Sequence, residues 1–395
     1  MPQTSPQATR LQPRPQARVP HAGVQIQTPI AGPVHRWLRF PDSWDIPTVH
    51  RAFDVIGVRR SDVIYDPFVG CGTTPVAAAA RGMRTVSMDR SALAVLATVV
   101  KLYPPDPGML DSVVEKLHSC PCNILIRKLQ VRRLRRGAAS PVQRALVFAL
   151  VSGWFRARER APWDLAHDQA DHAADHEIAA PDARWLEESL RVVEEMRADQ
   201  PPPGSRAIQH VVRCREFSND VTKLPGLTGQ NSIVMVTSPP LPTRHIDLDR
   251  QRLDRMIHTT VPRLRIFDRH DHHTESLAAV EMRRVATYER FVDSLLAHAQ
   301  RLQCTALAVE MSTRPAPQGV ACDELLMQKL PDYGFKLLDV DRSVREATGI
   351  PGNASARPRE WLTTVCAVAL QPPAITDCPS STPPSDTHST ELPEP

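Results

Sequence analysis

A chain of 395 residues can bury a substantial core, as one enlarged domain or as a domain with an insert. Its 48 Lys+Arg against 44 Asp+Glu give a net charge of only +4, and its eight cysteines form no Cys-x-x-Cys pair, which indicates neither a zinc knuckle nor a disulfide framework and reads as reduced thiols. The longest apolar run, Ala145 to Phe155, is too short to span a bilayer, and the polar N-terminus lacks a signal-peptide pattern, so the expectation is no membrane and a cytoplasmic protein, nucleoid-associated if prokaryotic.

Residues 1–34 are rich in Pro and Gln and lack apolar periodicity, which predicts a disordered basic arm; no acidic residue precedes Asp42. Short apolar runs then alternate with helical stretches, the pattern of a parallel α/β sheet. The predicted strands are Val63–Tyr65, Thr85–Met88, Ile208–Cys214, Ile233–Val236, Thr305–Val309, Lys336–Val340 and Leu362–Leu370. Helices are predicted over 75–81, 92–101 and 281–302. The interval 105–205 breaks the rhythm with Arg-rich and Glu-rich helical stretches and no convincing strand, so it reads as a helical insertion. Residues 372–395, rich in Pro, Ser and Thr, are expected to be disordered. An acid-free run from Lys116 to Arg158 holds Arg127, Lys128, Arg132, Arg133, Arg135 and Arg136, a candidate contact for a nucleic-acid backbone or an ordinary solvated helix.

Two loops carry chemistry. The first strand ends in Asp66-Pro67-Phe68, and a turn with Gly70 and Gly72 leads to Thr73, Thr74 and Pro75 at the start of an alanine-rich helix. Glycines there allow backbone conformations and a ligand approach that a Cβ would block. Thr74 is placed to cap the helix, and Pro75 suits its first position. A Gly-rich turn after a first strand also suits a dinucleotide, but the third glycine of that fingerprint is replaced by Pro75. Asp89 ends the second strand, where a carboxylate can accept hydrogen bonds from ribose hydroxyls of either cofactor class. The second loop, Thr237-Ser238-Pro239-Pro240, ends another apolar strand, and its paired prolines stiffen it.

Asp-Pro-Phe-x-Gly-x-Gly-Thr-Thr closely resembles the cofactor loop of DNA amino-methyltransferases of the N4-cytosine and N6-adenine type, and Ser-Pro-Pro resembles their catalytic loop. The resemblance covers roughly residues 35–104, a cofactor half, and 206–371, a catalytic half. It implies a Rossmann-like, seven-stranded class I methyltransferase sheet whose last two strands form a hairpin, with the 105–205 insertion as target-recognition element or DNA clamp. It implies S-adenosyl-L-methionine as methyl donor, held by Asp66, Phe68, Gly70, Gly72, Thr73 and Asp89, with Asp220 near the adenine ring or acting as a plain helix cap. Ser238, Pro239 and Pro240 would orient the exocyclic amine of a base flipped from double-stranded DNA, and the order of the loops resembles the cytosine-N4 type. No metal is implied, and the oligomeric state is left open.

One departure from the family pattern is Leu241, where an aromatic ring normally stacks on the flipped base. Base–aromatic stacking is worth about 1–3 kcal/mol, so its loss points to weaker turnover unless another ring substitutes. An RNA methyltransferase and a catalytically impaired nucleic-acid-binding descendant are the alternatives. Cys120-Pro121-Cys122 lacks the context of a nucleophilic thiol. The histidine clusters at 167–176 and 270–273 read as solvated faces rather than metal sites.

Overall fold

A computed structural model describes residues 25–27, 34–38, 44–122, 124–125, 140–159, 182–199, 210–214, 217, 227, 232–239, 285–312, 321–346 and 359–370. In chain order the strands are β1 (Gln25–Gln27), β2 (Val63–Asp66), β3 (Arg84–Asp89), β4 (His210–Cys214), β5 (Ile233–Thr237), β6 (Ala306–Ser312), β7 (Phe335–Glu346) and β8 (Arg359–Ala369). The helices are α1 (Ile46–Ile56), α2 (Thr73–Ala80), α3 (Ala92–Leu102), α4 (Pro107–Ser119), α5 (Pro141–Glu159), α6 (Asp182–Ala198), α7 (Val285–Arg301) and α8 (Cys322–Lys329).

The eight described strands form one sheet in the order β1-β7-β8-β6-β5-β2-β3-β4. Strands β2 to β6 run parallel, and β8 is antiparallel to both β6 and β7. This is the expected Rossmann-like α/β sheet with a terminal hairpin. All seven predicted strands are present, and the hairpin strands run longer than their apolar runs, β7 continuing through the buried polar residues Asp339, Asp341 and Ser343. The chain leaves β2 toward β3 and β4 and returns through β5 toward β6, so the direction of winding reverses between β2 and β5. Ligands of open α/β sheets bind outside the strand ends at such a reversal.

Burial follows the strand period. Val63, Tyr65, Val86, Met88, Ile233, Met235, Leu307 and Val309 face α7 and α8, whereas Ile64, Val234, Val236, Ala306 and Ala308 face α1 and α2. Every side chain of β5 is buried, as expected of a central parallel strand covered on both faces. Asp45 caps α1 by accepting from the Thr48 amide, and Gly57 ends it at φ 70. Ser91 caps α3 in the same manner.

Two features differ from the sequence expectation, and a third lies beyond it. The start of α2 is Gly72 with φ 88 and no side-chain cap, so Thr74 lies inside the helix and does not cap it. Within the segment read as a disordered arm, β1 pairs in parallel with β7, Gln25 opposite Ser343. Helices α4, α5 and α6 bury Leu110, Phe148, Leu150, Trp185 and Val192 in one core with α3. That cover leaves all of Ala92–Leu102 buried, Lys101 included.

Candidate active site

The ends of β2 and β5 meet directly. Thr237 donates from Oγ1 to Asp66 Oδ1 at 2.6 Å, and the same oxygen accepts from the Phe68 amide at 3.1 Å. Thr74 adds a further side-chain hydrogen bond to this carboxyl. Burial pushes Asp66 up to about 7 against the opposing pull of these donors, and the nearby Asp89 charge pushes the same way as burial. Asp66 is therefore a structural knot between the glycine loop and the Ser-Pro-Pro loop, with no face open to solvent.

The glycine loop is fixed from three sides. The Val69 amide donates to the Met88 carbonyl at 3.0 Å, and the Gly72 amide to the Val69 carbonyl at 2.9 Å. The Gly70 amide donates to Asp89 Oδ2 at 2.9 Å, and Oδ1 of the same carboxylate accepts from the Ser91 amide at 2.8 Å. Asp89 thus orders the loop through its backbone, and a carboxylate oxygen has the capacity to accept a second hydrogen bond. The third hold is Lys101, buried in α3, whose Nζ donates to the Leu38 carbonyl at 3.0 Å and the Cys71 carbonyl at 2.8 Å. Burial lowers its pKa.

Lys101 thereby ties the loop to the His35–Trp37 turn, which α6 grips from its far end. Asp199 accepts from the Val34 amide at 3.0 Å, Arg36 Nε at 2.9 Å and Trp37 Nε1 at 3.0 Å. His35 is buried, and burial, Lys101 and His50 hold its pKa well below the usual imidazole value. Neither His35 ring nitrogen, nor Trp44 Nε1, has a hydrogen-bond partner among the described residues. The Trp44 carbonyl in turn lies 3.5 Å from Thr73 Oγ1.

Aromatic rings wall the same end of the sheet. Phe68 lies 5.0 Å from Phe217 and 5.6 Å from Phe291, centroid to centroid, and all three are partly exposed. Behind them Tyr65 stacks on the buried His298, with 2.8 Å between its hydroxyl and Nε2.

On the opposite side, Ser238 Oγ donates to Oε2 of Glu310 in β6 at 3.2 Å. Pro239 is buried beside it. Strand β5 is thus held on both flanks, by Asp66 through Thr237 and by Glu310 through Ser238.

Asp66, Phe68, Gly70, Gly72, Thr73, Asp89, Ser238 and Pro239 therefore gather at one end of one sheet. Asp220, Pro240, Leu241 and the basic run Arg127, Lys128, Arg132, Arg133, Arg135 and Arg136 lie outside the described residues. Sequence reasoning missed Glu310 and Lys101. Each is the single charge within an apolar element, Ala306–Met311 and Ala92–Leu102, and that isolation was the available signal. Among the described residues, no cluster of His, Cys, Asp or Glu is suited to a metal ion, and no helix is long and apolar enough to cross a membrane.

The chain matches no family profile. It is 30% identical over 56 residues to the type II methyltransferase M.BsoBI of Geobacillus stearothermophilus, a match spanning 14% of this chain and 11% of that protein. Among solved structures, PH1948 of Pyrococcus horikoshii, a candidate RNA methyltransferase, aligns over 87% of this chain and 93% of its own at 8% identity and TM-score 0.35. The rRNA methyltransferase aviRa of Streptomyces viridochromogenes aligns over 83% and 86% at 12% identity and TM-score 0.30. Likeness of this size identifies no substrate, and the fold stands on the strand order itself.

Proposed function

We propose that this chain is an S-adenosyl-L-methionine-dependent methyltransferase acting on the exocyclic amine of a nucleic-acid base, cytosine N4 in double-stranded DNA being the preferred target. The observation that carries the reading is the junction of two loops. The Asp-Pro-Phe-x-Gly-x-Gly loop and the Ser-Pro-Pro loop lie 171 residues apart in sequence yet join through Thr237 and Asp66 at the reversal point of the sheet. The short match to a type II methyltransferase supports methyl transfer.

The residues present fit this methyl donor. A Cβ on Gly70 would meet nothing within 4 Å, so that face of the loop is open for a ligand. The buried His35 and Trp44 nitrogens have no hydrogen-bond partner among the described residues, as expected of groups reserved for a polar ligand. Phe68, Gly70, Thr73 and Asp89 would hold it, and Phe217 supplies an apolar wall. When bound, the donor supplies an electrophilic methyl group on a sulfonium.

The chain's own task is to make a poor nucleophile reactive. The lone pair of an exocyclic amine is delocalised into its ring. Ser238 Oγ and the Pro239 carbonyl would each accept one amine hydrogen, which lets the nitrogen pyramidalise and frees the pair for attack. The rigid, doubly anchored loop keeps these acceptors fixed in advance of the reaction. Removing one such acceptor costs roughly 10²–10³ in turnover. Ser238→Ala is accordingly expected to bind the donor normally and to lose methyl transfer by that factor, as read with labelled S-adenosylmethionine. A variant with full transfer would refute the role.

A further inference from the structure

Glu310 is 1% exposed, and its neighbours along β6, Val309 and Met311, are buried and apolar. Burying a carboxylate in such a place is expensive unless its hydrogen bonds serve a purpose. One of them is with the hydroxyl of Ser238, at 3.2 Å. We propose that Glu310 is the positioning residue of the reaction: it fixes Ser238 as a hydrogen-bond acceptor and receives the proton that methylation displaces. The proposal rests on the amine-methyltransferase reading above.

A serine hydroxyl has one proton and two lone pairs. Were that proton directed at the target amine, it would engage the very lone pair that must attack carbon. Directed to Glu310, it leaves both oxygen lone pairs facing the crevice, where an amine N–H can donate to them. Thr237, one residue earlier, is bonded on the opposite flank to Asp66, so the strand cannot rotate to undo this arrangement.

The same contact solves the proton balance. The amine nitrogen pair forms the N–C bond while the C–S bond breaks and its electrons return to sulfur. The nitrogen then carries the methyl group, two hydrogens and a positive charge. One of those protons passes to Ser238 Oγ as the serine proton passes to the Glu310 carboxylate. The base leaves neutral, and the Glu310 carboxyl returns its proton to water after product departs. A negative charge buried one hydroxyl away also opposes the positive charge that develops on nitrogen.

The test compares Glu310→Gln, Glu310→Asp, Ser238→Ala and the Glu310→Gln/Ser238→Ala double variant in the full chain. Glu310→Gln keeps the shape and loses the charge. It is expected to lower kcat by roughly 10²–10³. Its KM for S-adenosylmethionine and its calorimetric Kd for S-adenosylhomocysteine should stay within about threefold of wild type, since uniform binding is untouched. Glu310→Asp should recover a substantial part of kcat. Without any turnover, a double-mutant cycle of unfolding stability should be non-additive for Glu310→Gln and Ser238→Ala, because the two residues share one bond. Unchanged kcat in Glu310→Gln, a loss explained entirely by weaker donor binding, or additive stability effects would each overturn the proposal while the wild-type protein still transfers methyl groups. A wild-type protein that methylates no nucleic-acid amine would overturn the underlying reading, and the relay with it.

Discussion

Gly70 and Gly72 stand two residues apart and do different work. Both have positive φ, 51 and 88, so both ease a turn that other residues resist. A Cβ at Gly72 would lie 2.9 Å from Thr98 Oγ1 and 3.1 Å from Thr98 Cα, against the backbone of α3, whereas one at Gly70 would point into open space. Gly72→Ala should therefore destabilise the fold by about 1–3 kcal/mol, visible as a lower Tm. Gly70→Ala should cost only about 1 kcal/mol of backbone strain and act mainly on binding, weakening S-adenosylhomocysteine in calorimetry far more than it lowers Tm. Equal effects of the two substitutions on binding and stability would contradict this division. The sequence pointed to both glycines but did not distinguish them, because the distinction is made by Thr98, a residue on another helix. Glu310 and Lys101 were harder still. Their chemistry appears only when β6 lies beside β5 and α3 lies beneath the loop.

At the scale of elements, the insertion shows how a local reading succeeds in kind and falls short in consequence. Its helical character follows from the residue pattern. Its attachment depends on contacts far apart in sequence. Trp185 Nε1 donates to the Leu150 carbonyl at 2.7 Å, joining α6 to α5. Arg156 of α5 pairs with Glu195 of α6 at 2.6 Å. Asp199, just past α6, holds the His35–Trp37 turn. The 105–205 helices and the segment from His35 to α3 should accordingly unfold together. Helices α5 and α6 approach tightly at Gly153, where a Cβ would sit 2.6 Å from the Ser189 amide nitrogen and 2.8 Å from its Cα. Backbone cannot yield as a side-chain tip can, so Gly153→Ala should destabilise by about 1–3 kcal/mol or more. Calorimetry of this variant should show one transition shifted to lower temperature. Two separated transitions, with only the first shifted, would mean that the insertion folds on its own.

For the whole molecule, the strands themselves were legible because buried parallel strands advertise themselves as short apolar runs, and the loops of the reversal point carry their own residue types. What the runs do not encode is pairing. The parallel addition of β1 to β7 involves Gln25-Ile26-Gln27, a segment with no strand signal beyond one isoleucine, and it depends on an edge that exists only after the hairpin forms. The site inherits the same limit: sequence identified the two loops, and only the fold shows that Asp66 and Glu310 hold the second from both sides. The central claim is that this doubly held loop presents a base amine to a methyl donor. The most direct measurement incubates the purified chain with labelled S-adenosylmethionine and either duplex DNA or bulk RNA, then identifies the modified nucleosides by mass spectrometry. The account predicts N4-methylcytosine in the DNA. Label confined to RNA would contradict the DNA assignment, and absence of any methylated amine in either polymer would contradict the account itself.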